Sequence, residues 1–179
     1  MENNIAVITT FPNNCWNIYA KQMLKSFVEF WPAEIPLLVQ LDDDLLVPDV
    51  NKILRPQDGL AVGRLQPHED FIVRNKGKDS IENYRMQSVR FCHKIFALYR
   101  AYDGLVQAAK SGISTPRYLI WLDADVWTTK KVTLEDIQKC LPKEGDAVSY
   151  LGRKDWDHSE CGWLAFDVEN SGGEIIEAM

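Results

Sequence analysis

Apolar and polar positions divide this chain into short uncharged runs that stop at carboxylates or hydroxyls, with stretches of helical period between them. The sharpest case is Arg117–Trp127, RYLIWLDADVW. The run YLIWL has the length and character of a strand buried on both faces. Two carboxylates midway along such a strand would be costly to desolvate, so the strand is expected to stop at Leu122. Asp123 and Asp125 then stand at its carboxyl end, where open α/β sheets place their ligands. If the backbone stays extended, the spacing of two points both side chains the same way.

The same grammar recurs elsewhere. Ile5–Thr9 predicts a first, central strand followed by Thr9-Thr10-Phe11-Pro12. Pro36–Leu41 predicts a second strand running into Asp42, Asp43 and Asp44. Asp146–Leu151 predicts a strand beside the first ones, and Cys161–Val168 a last one. Between them, Asn14 is placed to cap a helix from Cys15 to about Phe30, with Tyr19, Met23 and Phe27 at spacing four. Asp79 and Glu82 have capping-box spacing for a long helix from Ser80 to about Lys110, with a possible interruption at Asp103-Gly104. Its expected buried stripe runs Ile81, Tyr84, Ser88, Cys92, Ile95, Tyr99, Tyr102. Thr133 and Asp136 mark a short helix ending near Cys140. Leu45–Asp79 is the least periodic part, a Pro-containing insert with a charged later half that is expected to order when substrate binds. The stretch 170–179 starts like a capped helix without a recognisable stop signal. This leads to the expectation that the chain is the front part of something larger.

The 179 residues suffice for one domain with a sizeable core, and 46% hydrophobic with 26% charged is ordinary for a globular protein. A net charge of −6 argues against nonspecific nucleic-acid binding but leaves a metal-bound nucleotide open. No window approaches a membrane span, and the N-terminus lacks the basic and apolar regions of a signal peptide. Cys15, Cys92, Cys140 and Cys161 form no C-x-x-C pair, which suggests buried thiols in a reducing, cytoplasmic setting.

The candidate chemistry follows from these placements. Asp123 and Asp125 repel each other, and a hard divalent cation, magnesium or manganese, would relieve that repulsion; otherwise one caps a turn and the other faces water. Arg90 and Lys94 are one helical turn apart on a polar face with Asn83 and Gln87. Their like charges suit a diphosphate between them, or simply a solvated basic face. Thr9, Thr10 and Asp42 at strand ends offer hydrogen bonds to a base or ribose, and also read as ordinary turn formers. Gly152–Glu160 is dense in ionisable groups around Trp156, an aromatic platform of the kind a sugar face stacks on. Gly162 permits close approach of a ligand. Asp157, His158 and Glu160 are candidate general bases, with Glu160 favoured for its position directly before Cys161-Gly162-Trp163.

Four stretches, Ile5–Pro12, Tyr84–Leu98, Arg117–Trp127 and Ser159–Asp167, together resemble the glycosyltransferases of the GT-A type. That resemblance implies a single Rossmann-like α/β/α sandwich with a mostly parallel sheet, apparently truncated at the C-terminus, over residues 1–179. It implies a D-x-D pair, Asp123 and Asp125, binding Mn²⁺ or Mg²⁺ with a nucleoside-diphosphate sugar. It gives Thr9 and Thr10 to the nucleoside, Arg90 and Lys94 to the phosphates, and Glu160 to Trp163 to the sugar and acceptor region. The chain departs from the pattern in lacking an evident later metal ligand. The expected function is metal-dependent transfer of a sugar to an unidentified acceptor, with Glu160 or Asp157 as base. The alternatives are a binding module that transfers nothing, and a nucleotidyltransferase. The last would want a glycine-rich, basic loop after the first strand, where TTFPNNCW has neither glycine nor base.

Overall fold

The computed structural model describes residues 4–41, 49–80, 82–83, 87–152 and 160–179, with Glu160 described by its backbone alone. Six strands form one sheet in the order β3-β2-β1-β4-β6-β5. They are β1 (Ile5–Phe11), β2 (Leu37–Leu41), β3 (Gly59–Val62), β4 (Tyr118–Leu122), β5 (Val148–Leu151) and β6 (Glu160–Asp167). The first four run parallel; β6 is antiparallel to β4, and β5 to β6. The helices are α1 (Lys21–Phe30), α2 (Gln66–Asn75), α3 (Ser88–Lys110), α4 (Leu134–Gln138) and α5 (Gly172–Ala178). The result is the expected α/β architecture with a mostly parallel sheet.

Strand alternation sorts the core into two layers. Ile5, Val7 and Phe11 of β1 and Ile120 and Leu122 of β4 face one side, against Met23, Leu24 and Phe27 of α1 and Ile137 of α4. Ala6 and Ile8, with Leu119 and Trp121, face the other, against Ala97 and Leu98 of α3 and Ile176 of α5. Central strands covered on both faces read as continuous apolar runs, which is why β1 and β4 were legible. At the far edge Gly172 and Gly173 let α5 seat closely. A Cβ at Gly172 would collide with the Asp167 carbonyl, and one at Gly173 with the Tyr102 ring. Beneath α5, the buried Asp167 carboxylate takes a forked hydrogen bond from Arg117, at 3.0 Å from Nε and 2.6 Å from Nη2.

Several boundaries differ from the sequence expectation. β1 runs on to Phe11, because Thr10 and Phe11 pair with Gln40 and Leu41 of β2, so Thr9 and Thr10 lie inside the strand. The helix after it enters through a tight turn at Asn13–Cys15 and a wide π turn at Trp16–Ala20, with no side-chain cap from Asn14. β5 lies at the outer edge beside β6 instead of next to the first strands. From residue 49 on, the insert supplies the other edge, β3, which pairs with β2, and the helix α2. Its base is tied down by Asp58, which accepts from the Leu37 and Arg55 amides, while Arg55 donates to the Pro32 and Ile35 carbonyls.

The long helix starts at Ser88, later than the Asp79–Glu82 spacing suggested, and passes Asp103-Gly104 unbroken. Asp79 caps it all the same, from nine residues upstream. Its carboxylate accepts from the Ser88 hydroxyl (3.1 Å) and from the Val89 (3.0 Å) and Arg90 (3.3 Å) amides. These bonds, led by that from the Val89 amide, hold the Asp79 carboxyl below the usual carboxylate range. Of the expected stripe, Cys92 is buried and Tyr99 is not; Ala97 and Leu98 take the sheet-facing positions. Ile81 and Tyr84 fall outside the described residues.

A depressed carboxyl stabilises the fold above its unfolded value and loses that contribution as pH falls through its folded value. The start of α3 is therefore expected to fray in acid. Asp79→Ala should bring that fraying to neutral pH, seen as faster hydrogen exchange at the Val89 and Arg90 amides with the β4 amides unchanged.

Candidate active site

The order β3-β2-β1-β4 reverses direction at β1 and β4: the chain leaves β1 towards β2 on one side and β4 towards β6 on the other. A crevice outside the carboxyl ends of two such strands is where open α/β sheets bind ligands. Asp123 is the first residue beyond β4. Leu119, Ile120, Trp121 and Leu122 are all buried, so Asp123 is also the first position where a charge reaches solvent. Its amide donates to the Gly162 carbonyl at 2.9 Å, continuing the β4–β6 pairing by one bond.

The backbone does not stay extended through the pair. Val126 N–H closes a turn on the Asp123 carbonyl at 3.2 Å, with Ala124 buried in the α1-side core. The two carboxylates consequently meet different neighbours. Asp123 faces α3. The Lys94 ammonium lies 3.0 Å from its Oδ1, and the Trp121 indole N–H donates to the same oxygen at 2.5 Å. Lys94 also donates to the Cys161 carbonyl at 2.6 Å and sits 4.9 Å from the Trp121 ring centre. Asp125 is exposed, on the side of Tyr19 in the π turn. Burial pushes the Tyr19 hydroxyl far above its ordinary value, helped by a hydrogen bond with Cys15 and by the Asp125 charge, while Arg90 pulls the other way. Arg90 is exposed and donates to the Gln87 side chain at 3.1 Å.

Lys94, Asp123 and the Gly162 carbonyl thus form one junction, and Asp125, Arg90, Tyr19 and Cys15 share a second neighbourhood. The remaining sequence candidates are placed differently. Thr9 is fully buried, its hydroxyl without a hydrogen-bond partner among the described residues. The Thr10 hydroxyl donates to the Gln40 carbonyl across the sheet at 2.8 Å. Trp163 packs in the α1-side core with its ring stacked on Trp31 at 6.0 Å. Asp42 and Asp157 lie outside the described residues, as does the side chain of Glu160. Sequence reasoning missed Tyr19 and Cys15, whose signal was a helix start too irregular for Asn14 to cap. It also missed Trp121 as a donor, because an indole in an apolar run reads as core.

No family model matches the sequence, and no curated protein does. Solved structures do match its fold. Apo GlyE, a glycosyltransferase of Streptococcus pneumoniae TIGR4, superimposes over 98% of this chain with a TM-score of 0.58 at 13% identity. A second structure of GlyE covers 97% with a TM-score of 0.57 at 15% identity. Apo mouse xyloside xylosyltransferase 1 covers 97% with a TM-score of 0.55 at 11% identity. The chain spans 36–37% of the GlyE chains and 71% of the xylosyltransferase. What is shared at such identities is the fold, an α/β sheet of the glycosyltransferase kind.

The two charges of the second neighbourhood make opposite predictions for Tyr19. Asp125→Asn should lower its titration midpoint and Arg90→Ala should raise it, followed by alkaline titration of the Tyr19 ring signals in NMR spectra.

Proposed function

We propose that this chain binds a nucleoside-diphosphate sugar through a divalent cation and serves sugar transfer to an acceptor. The observation that carries the reading is the position of Asp123 and Asp125. They follow a doubly buried central strand at the reversal point of the sheet, with two cationic side chains of α3 alongside. The solved structures of matching fold are glycosyltransferases, which supports the same reading.

The donor set fits the ion. Two carboxylates supply hard oxygen ligands suited to Mn²⁺ or Mg²⁺, which keep open positions for water and phosphate oxygens. The cation would neutralise the diphosphate as its leaving-group charge grows. Asp123, already desolvated on one side and fixed by the Trp121 N–H, is oriented before any ligand arrives. Lys94 balances its charge meanwhile. A divalent ion held by Asp123 would take over the charge balance that Lys94 supplies, leaving Lys94 available to phosphate from the Asp123 side and Arg90 from the Asp125 side. Asp125 would supply the second carboxylate from the Tyr19 side, where the neutral Tyr19 hydroxyl remains a hydrogen-bonding group across the physiological range. Asp42 and Gly162 are proposed on the nucleoside and sugar side, while Thr9 and Thr10 within β1 and Trp163 in the α1-side core would shape that side without touching the ligand directly. Glu160, at the start of β6, and Asp157 are the proposed bases.

Asp125→Ala should weaken Mn²⁺-dependent binding of UDP or GDP by more than about tenfold, roughly 1.4 kcal/mol, with the melting temperature nearly unchanged. Calorimetric titration measures it, and unchanged affinity would contradict the metal role. Arg90→Ala should weaken the nucleoside diphosphate more than the free nucleoside. Equal losses would remove Arg90 from the phosphate site. A screen of nucleotide sugars with Mn²⁺, read by thermal shift, identifies the donor.

A further inference from the structure

A second cluster of ligating side chains lies where α2 packs on α3, and the proposed function does not use it. His68 comes from α2, Cys92 and His93 from α3. His68 and Cys92 are each 3% exposed, and His93 is half-buried. One donor atom from each residue lies within 4.8 Å of the other two. The His68 ring stacks on Phe96, centroids 4.5 Å apart at 14°, and meets His93 edge-on at 4.8 Å. Phe96 is one helical turn beyond both Cys92 and His93, so this stack fixes the His68 imidazole beside that pair. The Cys92 thiol donates to the Val89 carbonyl at 3.1 Å. It also lines a cavity of about 490 Å³ with Phe71, Phe91, Phe96 and Tyr99.

We propose that His68, Cys92 and His93 form a zinc site that pins α2 to α3. A thiolate and two imidazoles are the donors that a borderline-soft ion such as Zn²⁺ selects over Mg²⁺ or Mn²⁺. Zinc–sulfur and zinc–nitrogen bonds of about 2.3 and 2.0–2.1 Å put tetrahedral donors roughly 3.5 Å apart, so the present cluster closes by about an ångström through side-chain rotation. Binding exchanges the Cys92 S–H bond for a sulfur–zinc bond and releases one proton to solvent. The two imidazoles bind neutral, and the Cys92–Val89 hydrogen bond is given up. A water would complete the tetrahedral set as fourth ligand. Because His93 precedes Lys94 and Arg90 lies one turn back, the ion would hold the turn of α3 that faces Asp123. It is a different site from the aspartate pair, with different ion selectivity.

The test uses the whole chain. Zinc-free protein titrated with Co²⁺ should develop an intense near-ultraviolet thiolate-to-cobalt band and strong visible bands of a four-coordinate ion, saturating at one equivalent, and Zn²⁺ should displace it. Cys92→Ser and His93→Gln should each lose the thiolate band or its saturation at one equivalent, with zinc affinity falling more than about tenfold. The Asp123→Asn, Asp125→Asn double variant should keep the band, which separates this site from the proposed nucleotide site. A folded wild type that shows no thiolate–cobalt band, or a band that persists in Cys92→Ser, overturns the proposal. The wild-type measurement stands even where a variant fails to fold.

Discussion

The structure depends on one constraint: β4 is buried on both faces, and a charge cannot lie within it. Leu119 and Trp121 are covered by α3, Ile120 and Leu122 by α1, so the strand ends where the first carboxylate appears. Asp123 is then compensated at once, by the Lys94 ammonium and the Trp121 N–H on a single oxygen. Strand burial therefore decides where the polar corner can be. The polar corner in turn decides which turn of α3 faces it.

That chain of consequence links distant parts of the sequence. Lys94 reaches Asp123 only if α3 lies along this face of the sheet, and α3 is held there at two points. Asp79 caps its start, and near its middle Tyr102 receives the closely seated Gly173 of α5. Lys94 also binds the Cys161 carbonyl, and the Asp123 amide binds Gly162, so the antiparallel strand β6 is stitched to the same corner. The insert, far from being an appendage, supplies the sheet's edge β3 and the helix α2 that buttresses α3.

How much of this was legible depended on whether the signal was local. The doubly buried strands could be read because their apolar runs are continuous, and the Thr133–Asp136 capping box because both partners lie within one turn; that box forms as expected. Asp79 was read as the cap of a helix starting at Ser80; the helix instead begins at Ser88, and the Asp79 carboxylate reaches its first turn through space from nine residues upstream. The extended D-x-D backbone failed because Ala124 prefers burial in the α1-side core, and the Val126–Asp123 turn follows from that. Thr9 and Thr10 were read at a strand's end because hydroxyls punctuate loops. Pairing with β2 on one flank carried the strand past them. Strand order was beyond periodicity altogether: nothing in Asp146–Leu151 says that it is the last strand of the sheet.

The central claim is that the corner beyond β4 holds a divalent cation together with a diphosphate. Paramagnetic broadening tests it most directly. Substoichiometric Mn²⁺ with UDP or GDP, added to ¹⁵N-labelled protein, should extinguish the Trp121 indole N–H signal and the Asp123 and Asp125 amides first. Broadening centred on His68 and His93, with the Trp121 indole signal intact, would contradict it.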